Sequence, residues 1–178
     1  MLSEISKLLV ELGALKLTPR SGWLKAGIKI PESVAEHSFR TAVIAYVLSK
    51  MEGMSGIEAG AVAFLTLLHD SHEARTLDLH KLAKKYVKCD EEEVQKEQLK
   101  VLELEKIYEE LEKSGIDKNY VKDIIKDSDR LELLLQAREY SAQSKLAKYF
   151  EPEKSEIKTK SGKLVFESLK RVELKWWE

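Results

Sequence analysis

The chain has 178 residues, of which 43% are hydrophobic and 34% are charged, and its 30 basic and 31 acidic residues give a net charge of -1. The length indicates a single domain over residues 1–178 with one sizeable core, and the apolar fraction excludes a disordered chain. A protein that grips nucleic acid through phosphates usually has a basic excess. The balanced charge therefore argues against a nucleic-acid polymer as partner, while leaving room for a local basic patch.

Cysteine content and hydropathy indicate a cytoplasmic protein. The single cysteine, Cys89, cannot form a disulfide within the chain, which fits a reducing compartment. No second cysteine lies near it, so we interpret it as a buried or neutral thiol. The N-terminal segment is amphipathic and carries acids, unlike a secretory signal. No run of about 18 apolar residues occurs, so we expect no membrane span.

The first predicted elements are a short helix and a long loop. Apolar residues repeat at helical spacing over 5–12, and Gly13 follows them. The stretch 17–31 contains two prolines and two glycines, which predicts a loop. Long loops inside compact domains are often functional.

Two mostly apolar helices follow, and each has the same start signal. The capping-box spacing S-x-x-E occurs at Ser33 and again at Ser55. The runs that follow, 34–48 and 57–68, are apolar enough to be central buried helices. The second run ends in a polar cluster at 69–73.

The rest of the chain also has helical patterns. Asp90 is placed to cap one long charged helix that Gly115 closes, and Asp117 is placed to cap the next helix. The polar stretch 152–162 predicts a loop, and 163–175 predicts a last helix. No internal repeat and no convincing strand alternation occur. The predicted fold is therefore all-α, with about seven helices.

Three polar signals interrupt these apolar helices. His37 lies in the first turn of its helix, and Asp129 lies inside the apolar pattern of a later one. His69 and Asp70 are adjacent at the end of a helix. Buried acids are costly unless they are paired or bind a metal, and imidazole with carboxylate suits a divalent transition metal. Each residue alone is equally compatible with an ordinary exposed polar group; together they indicate a metal site with coordination positions left for water and substrate.

Four segments carry a resemblance to a known family: LKLTPRSGWL, IPESVAEHSFRTAVIAYVL, LLHDSHEARTLD and DSDRLELLLQ. The sequence resembles the HD-domain metal-dependent phosphohydrolases, most closely the 5'-deoxynucleotidase branch, over most of 15–140. The resemblance implies an HD-type helical bundle and a divalent cation such as Co²⁺, Mn²⁺, Mg²⁺ or Zn²⁺. It also implies four metal ligands: His37, His69, Asp70 and Asp129.

The resemblance assigns further roles outside the metal ligands. Arg20 corresponds to an arginine that orients the substrate phosphate, and Glu73 to an acid that transfers a proton. Asp78 corresponds to an acid of the substrate pocket, and His80 and Lys81 occupy neighbouring substrate-binding positions. The residues alone are also compatible with Arg20 as a surface charge, Glu73 as a solvated helix acid and Asp78 as the cap of a following helix.

The segment around Asp78 departs from the family pattern. Leu77 stands where the family usually has glycine, and His80 and Lys81 stand where proline and a small polar residue are usual. These differences concern the sugar and base pocket, and they leave the metal ligands unchanged. We expect His72, within the same motif, to be exposed.

The implied function is removal of the 5'-phosphate from (deoxy)nucleoside monophosphates by a cytoplasmic homodimer, with Glu73, Arg20 and Asp78 as catalytic residues. One alternative keeps the metal but changes the reaction, to that of an HD-type phosphodiesterase or a nucleoside polyphosphate hydrolase. The other is a non-enzymatic helical interaction module, which the highly charged helix and the Trp176-Trp177 end support.

Overall fold

The computed structural model describes residues 2–175 and 177, and over these residues the chain is all-α, as predicted. An isolated antiparallel bridge joins Pro19 and Ser33, and no strand forms in the described part. None of the described helices is long and apolar enough to span a bilayer. The α-helices are α1 (Leu2–Leu12), α2 (Gly22–Lys25), α3 (Val34–Met51), α4 (Gly56–Leu67), α5 (Glu73–Thr76), α6 (Glu91–Leu99), α7 (Leu104–Lys113), α8 (Lys118–Tyr140) and α9 (Lys160–Arg171). Two of these, α2 and α5, are single turns of four residues. The described residues therefore form seven longer α-helices, in agreement with the prediction of about seven.

The four predicted helix starts are confirmed. Ser33 Oγ accepts a hydrogen bond from the backbone N–H of Glu36, whose side chain accepts one from the Ser33 N–H. Ser55 starts α4 with the same reciprocal pair of bonds. The side chains of Asp90 and Asp117 accept first-turn N–H groups of α6 and α8. These contacts are local, because they satisfy donors that the first turn leaves free.

The single long helix expected between Asp90 and Gly115 is wrong. A 3₁₀ turn and Glu103, which has φ 49, separate α6 from α7. The break brings the apolar residues around it onto Leu8 and Leu68, where they form a small buried cluster. Burying several leucines outweighs the roughly 1–3 kcal/mol cost of one left-handed residue.

The last helix begins at Lys160, three residues earlier than predicted, and ends before 175. Thr159 caps it by accepting a hydrogen bond from a first-turn N–H. The fully buried carboxylate of Asp127, on α8, accepts the backbone N–H groups of Lys158 and Thr159 and the Thr159 hydroxyl. This contact fixes the start of α9 against α8.

The predicted loop 17–31 is held against the end of α8. It contains α2, which buries Trp23 between Tyr140 and Phe150, with ring centroids 5.1 Å from each. The Trp23 indole N–H donates to Glu32 Oε1 at 3.0 Å, and the Glu32 backbone N–H donates to the Tyr140 hydroxyl at 2.7 Å. The loop is therefore a fixed wall beside the bundle.

The centre of the bundle consists of α3, α4 and α8. α3 packs along both of the other two helices. Leu48 on α3, Val62 on α4, and Ile124 and Leu131 on α8 are fully buried in one cluster. These three helices carry or precede the predicted metal ligands, so core packing sets the relative positions of those ligands.

Leu77 has a backbone conformation that favours glycine. It follows α5 with φ 61 and ψ 164, a region that is essentially restricted to glycine. Its side chain is 63% exposed, so little burial compensates for the strain. The position is the one at which the resembled family usually has glycine.

Leu77→Gly is expected to stabilise the protein by about 1 kcal/mol, because relief of roughly 1–3 kcal/mol of strain exceeds the entropic cost of glycine. Urea unfolding followed by circular dichroism measures the change. Leu82→Gly is the matched control, since Leu82 is also exposed but has an ordinary φ of -73. It should lower the free energy of unfolding, and an equal loss for Leu77→Gly would contradict the strain.

Candidate functional site

Two histidines and two aspartates from three helices meet beside the core. His37 lies in the first turn of α3 and is fully buried, and His69 and Asp70 follow the end of α4. One ligand-type atom from each of these three residues lies within 4.8 Å of the other two. Asp129, in the middle of α8, places Oδ1 3.2 Å from His37 Nε2. The structure therefore brings together all four residues that the sequence singled out.

Hydrogen bonds orient both histidines so that their Nε2 atoms face this cluster. His69 Nδ1 lies 2.7 Å from the Thr66 carbonyl, which can only accept, so Nδ1 carries the proton. His37 Nδ1 donates to Glu132 Oε2 at 2.6 Å in the same way. His69 Nε2 is buried and has no hydrogen bond within the described part of the chain, although Asp70 Oδ2 is 3.2 Å away. An orphaned imidazole nitrogen beside carboxylates fits a divalent cation.

Glu132 is a residue of the site that the sequence analysis missed. It is buried on α8, where Oε2 accepts from His37 and Oε1 accepts from Arg40 at 2.8 and 3.0 Å. Arg40 also donates to Glu139 at 2.6 Å. An acid that accepts the second ring N–H of a metal-binding histidine fixes its tautomer and orientation. The available signal was the spacing to Asp129, three residues earlier on the same helix face.

Positive groups balance the two aspartates. Arg20 Nη1 donates to Asp70 Oδ2 at 2.9 Å, and Nη2 lies 3.7 Å from Asp129 Oδ1. Burial alone would raise the pKa of both carboxyl groups, but the neighbouring histidines and Arg20 lower it, so both are ionised at neutral pH. Burial lowers the pKa of His37, whereas hydrogen bonds to Asp129 and Glu132 outweigh it and raise the pKa to about 10. A cation at this site has to displace that proton.

Glu73 is a buried acid beside the cluster. It begins α5, is 4% exposed, and has one carboxyl oxygen without a hydrogen bond among the described residues. Burial and the negative charges of Asp70 and Asp78 raise its pKa to about 8. Its burial excludes the alternative of a solvated helix acid. At neutral pH its protonated form can donate a proton.

Asp78 fastens the loop that carries Arg20. Its carboxylate accepts the backbone N–H of Ser21, and its carbonyl accepts the Ser21 hydroxyl at 2.7 Å. No helix begins directly after it, so it is not a helix cap. Asp78 therefore ties the segment after α5 to the loop 17–31, and its charge contributes to the raised pKa of Glu73.

The two neighbouring predicted substrate residues lie in a turn. His80 Nδ1 accepts the backbone N–H of Ala83, and Lys81 is exposed. Their roles in substrate binding stay predictions. Lys84, which the sequence analysis did not single out, lies 2.7 Å from Glu91. Burial lowers the pKa of Lys84, but Glu91 and, more weakly, Glu73 raise it, so this lysine lies in the field of the acidic site.

The expectation that His72 is exposed is wrong. His72 is 6% exposed, and its Nε2 lies 3.9 Å from Glu91 Oε2 on α6. α6 covers this turn, because Gln95 donates to the carbonyls of Leu68 and His69 at 2.8 and 3.0 Å. Burial here follows from a tertiary contact that the local sequence does not display.

Two other features lie away from the cluster. Cys89 is a half-buried free cysteine, and its interpretation as a neutral thiol stays a prediction. Trp176 lies outside the described residues, and Trp177 is 66% exposed.

Comparison with known proteins identifies a family, two named relatives and a solved structure that are similar to this chain. A family model described as "HD domain" matches residues 12–172. The "5'-deoxynucleotidase HDDC2" of Dictyostelium discoideum is 30% identical over 74% of this chain and 74% of its own length. The human protein of that name is 32% identical over 72% of this chain, and the match covers 64% of the human protein. A solved crystal structure, described as a genomics protein, is 44% identical, covers 99% of both chains and has a TM-score of 0.84.

Glu132→Gln is expected to weaken binding of a divalent cation by about 10–100-fold, because a neutral amide holds the His37 Nδ1–H less firmly. Titration calorimetry with Mn²⁺ and Co²⁺ on chelator-treated protein measures this. Glu139→Gln is the matched control, since Glu139 accepts a hydrogen bond from Arg40, whereas the His37 Nδ1–H donates to Glu132. Equal affinity in the two variants, with native circular dichroism, would overturn the role of Glu132.

Proposed function

Because the chain belongs to the HD-domain family, we propose that it is a metal-dependent phosphohydrolase that removes the 5'-phosphate from (deoxy)nucleoside monophosphates. The observation that carries the proposal is the convergence of two histidines and two aspartates beside Arg20. The names of the curated relatives support the nucleotide substrate.

His37, His69, Asp70 and Asp129 would hold the cation. Their mixed nitrogen and oxygen donors accept several divalent ions, so Co²⁺, Mn²⁺, Mg²⁺ and Zn²⁺ are all candidates. When bound, such a cation lowers the pKa of a coordinated water and polarises a phosphoryl oxygen.

Arg20 would orient the phosphate. A guanidinium group presents donors in a fork that matches two phosphate oxygens, and one of the Arg20 nitrogens already faces Asp70. The fixed loop 17–31 and the Asp78–Ser21 contact hold this arginine next to the metal cluster, which is the group of proposed ligands formed by His37, His69, Asp70 and Asp129. Arg20 therefore binds charge that develops on the phosphoryl oxygens.

Glu73 would donate a proton to the leaving 5'-oxygen. Burial and the charges of Asp70 and Asp78 raise its pKa, which favours the protonated form that a general acid requires. Asp78, with His80 and Lys81 in the turn that follows, would shape the pocket for the sugar and base. Glu73, Arg20 and Asp78 are thus the proposed catalytic residues.

The partner, domain organisation, oligomeric state and location of the protein are also proposed. A small-molecule nucleotide is the proposed partner, in a single domain that spans the chain. The homodimer rests on the family resemblance, and the cytoplasmic location rests on the single cysteine.

The function is tested by phosphate release from purified, chelator-treated protein supplied with each cation in turn. We expect cation-dependent release from deoxynucleoside 5'-monophosphates, and much less from 3'-monophosphates, cyclic nucleotides and nucleoside triphosphates. Asp129→Ala should lose bound metal and activity together. Binding of a stoichiometric cation without hydrolysis of any nucleotide would contradict the phosphohydrolase proposal.

Glu73→Gln is expected to lower kcat by about 10²–10⁴-fold while cation affinity is retained. At saturating cation, the wild-type kcat should fall as pH rises through the pKa of Glu73, because the protonated form is active. Without a cation that pKa is about 8, and a bound cation lowers it because the cation offsets the negative charge of Asp70. Glu93→Gln, at an exposed acid of α6, is the control; a full rate in Glu73→Gln would remove Glu73 from the mechanism.

A further inference from the structure

A cleft of about 590 Å³ opens between the end of α4 and helices α6, α7 and α8. His69, a member of the metal cluster, also lines this cleft. Its volume is in the range of small-molecule sites, about 300–1,000 Å³. Because His69 borders both, the cleft adjoins the metal cluster.

A row of lysines on α8 leads from the cleft to the metal cluster. Lys118, Lys122 and Lys126 line the cleft at successive i, i+4 positions, and Asp129 follows three residues later. Residues at this spacing lie on one face of a helix, about 6 Å apart along its axis. The row therefore extends for about 16 Å from Lys118 to Asp129.

The cleft carries excess positive charge in a chain whose overall charge is -1. Five lysines and three glutamates line it. Lys118 pairs with Glu105 at 2.6 Å. In the described part of the chain, no carboxylate lies within ion-pair distance of the other four: Lys96, Lys100, Lys122 and Lys126. Such unpaired lysines favour an anionic ligand.

The floor of the cleft is apolar. Leu65, Leu99 and Ile125 line it together with Tyr108, whose ring lies 4.7 Å below the ammonium of Lys118. A lysine rim over an apolar floor with one aromatic ring matches the chemistry that binds a nucleotide backbone and its base. A single terminal phosphate, held at the metal cluster, leaves the distant lysines of the row unused.

We propose that this lysine cleft binds a second phosphate group, located 3' of the one that is hydrolysed. The substrate class would be nucleoside 3',5'-bisphosphates and short 5'-phosphorylated oligonucleotides. The inference rests on the proposed function and leaves its chemistry unchanged. Water oxygen bonds to the 5'-phosphorus, the bond from phosphorus to the 5'-oxygen breaks, and that oxygen takes a proton.

The test compares kcat/KM for a deoxynucleoside 5'-monophosphate, its 3',5'-bisphosphate and a 5'-phosphorylated dinucleotide. We expect a preference of about tenfold for the 3',5'-bisphosphate at low salt, falling as salt rises. This preference supports the inference whether or not the dinucleotide shares it. A preference for the dinucleotide alone assigns the second base, rather than a second phosphate, to the cleft and contradicts the inference.

The double variant Lys122→Gln/Lys126→Gln should bring this preference close to one. Lys160→Gln/Lys163→Gln, which removes the same charge from exposed positions on α9, should keep the wild-type ratio. A wild-type ratio near one, or a ratio that both variants leave unchanged, would overturn the inference.

A binding measurement separates the inference from the proposed function. Calorimetry with the 3',5'-bisphosphate on chelator-treated protein does not require hydrolysis. Binding that weakens in Lys122→Gln/Lys126→Gln, without hydrolysis of any nucleotide, supports the cleft and rejects the phosphohydrolase. Hydrolysis of monophosphates without any effect of these lysines supports the phosphohydrolase and rejects the cleft.

Discussion

The candidate site requires positive charge that balances two carboxylates, because both of them face the Nε2 atom of His37. Asp70 and Asp129 place oxygens 3.6 and 3.2 Å from His37 Nε2, in a partly enclosed environment where like charges repel strongly. Arg20 and protonated His37 supply the opposite charge, and the Glu132 carboxylate accepts the Nδ1–H of His37 and fixes its ring. These contacts involve α3, α8 and the loop 17–31, so one charge cluster ties together elements that are distant in sequence. The apolar core then fixes the helices that carry it.

The sequence predicted what is encoded locally. The capping residues Ser33, Ser55, Asp90 and Asp117 act within one turn of chain, so their spacing was enough to place the helix starts. The fold class and the proximity of the four donor residues also followed from pattern and resemblance. The break at Glu103 did not, because it arises from packing against Leu8 and Leu68, which are distant from it in the chain.

Tertiary contacts account for the other differences. Glu132 sits in an ordinary helical pattern, and only the fold shows that its carboxylate meets His37 and Arg40. His72 is covered by α6, although its sequence neighbours are polar. Leu77 illustrates the converse: a side chain replaces the expected glycine, and the backbone nevertheless keeps the conformation that glycine would adopt.

The contact between Asp127 and the segment before α9 links the end of the chain to the site. Asp127 lies two residues before Asp129 on α8, and it holds the backbone at Lys158 and Thr159. The residues after 150 supply none of the proposed ligands, yet they brace the helix that presents one of them. A fragment truncated before this segment would retain every donor in its sequence and lose the support that aligns them. The candidate site therefore depends on nearly the full length of the chain, although the side chains that form it come only from the middle of the sequence.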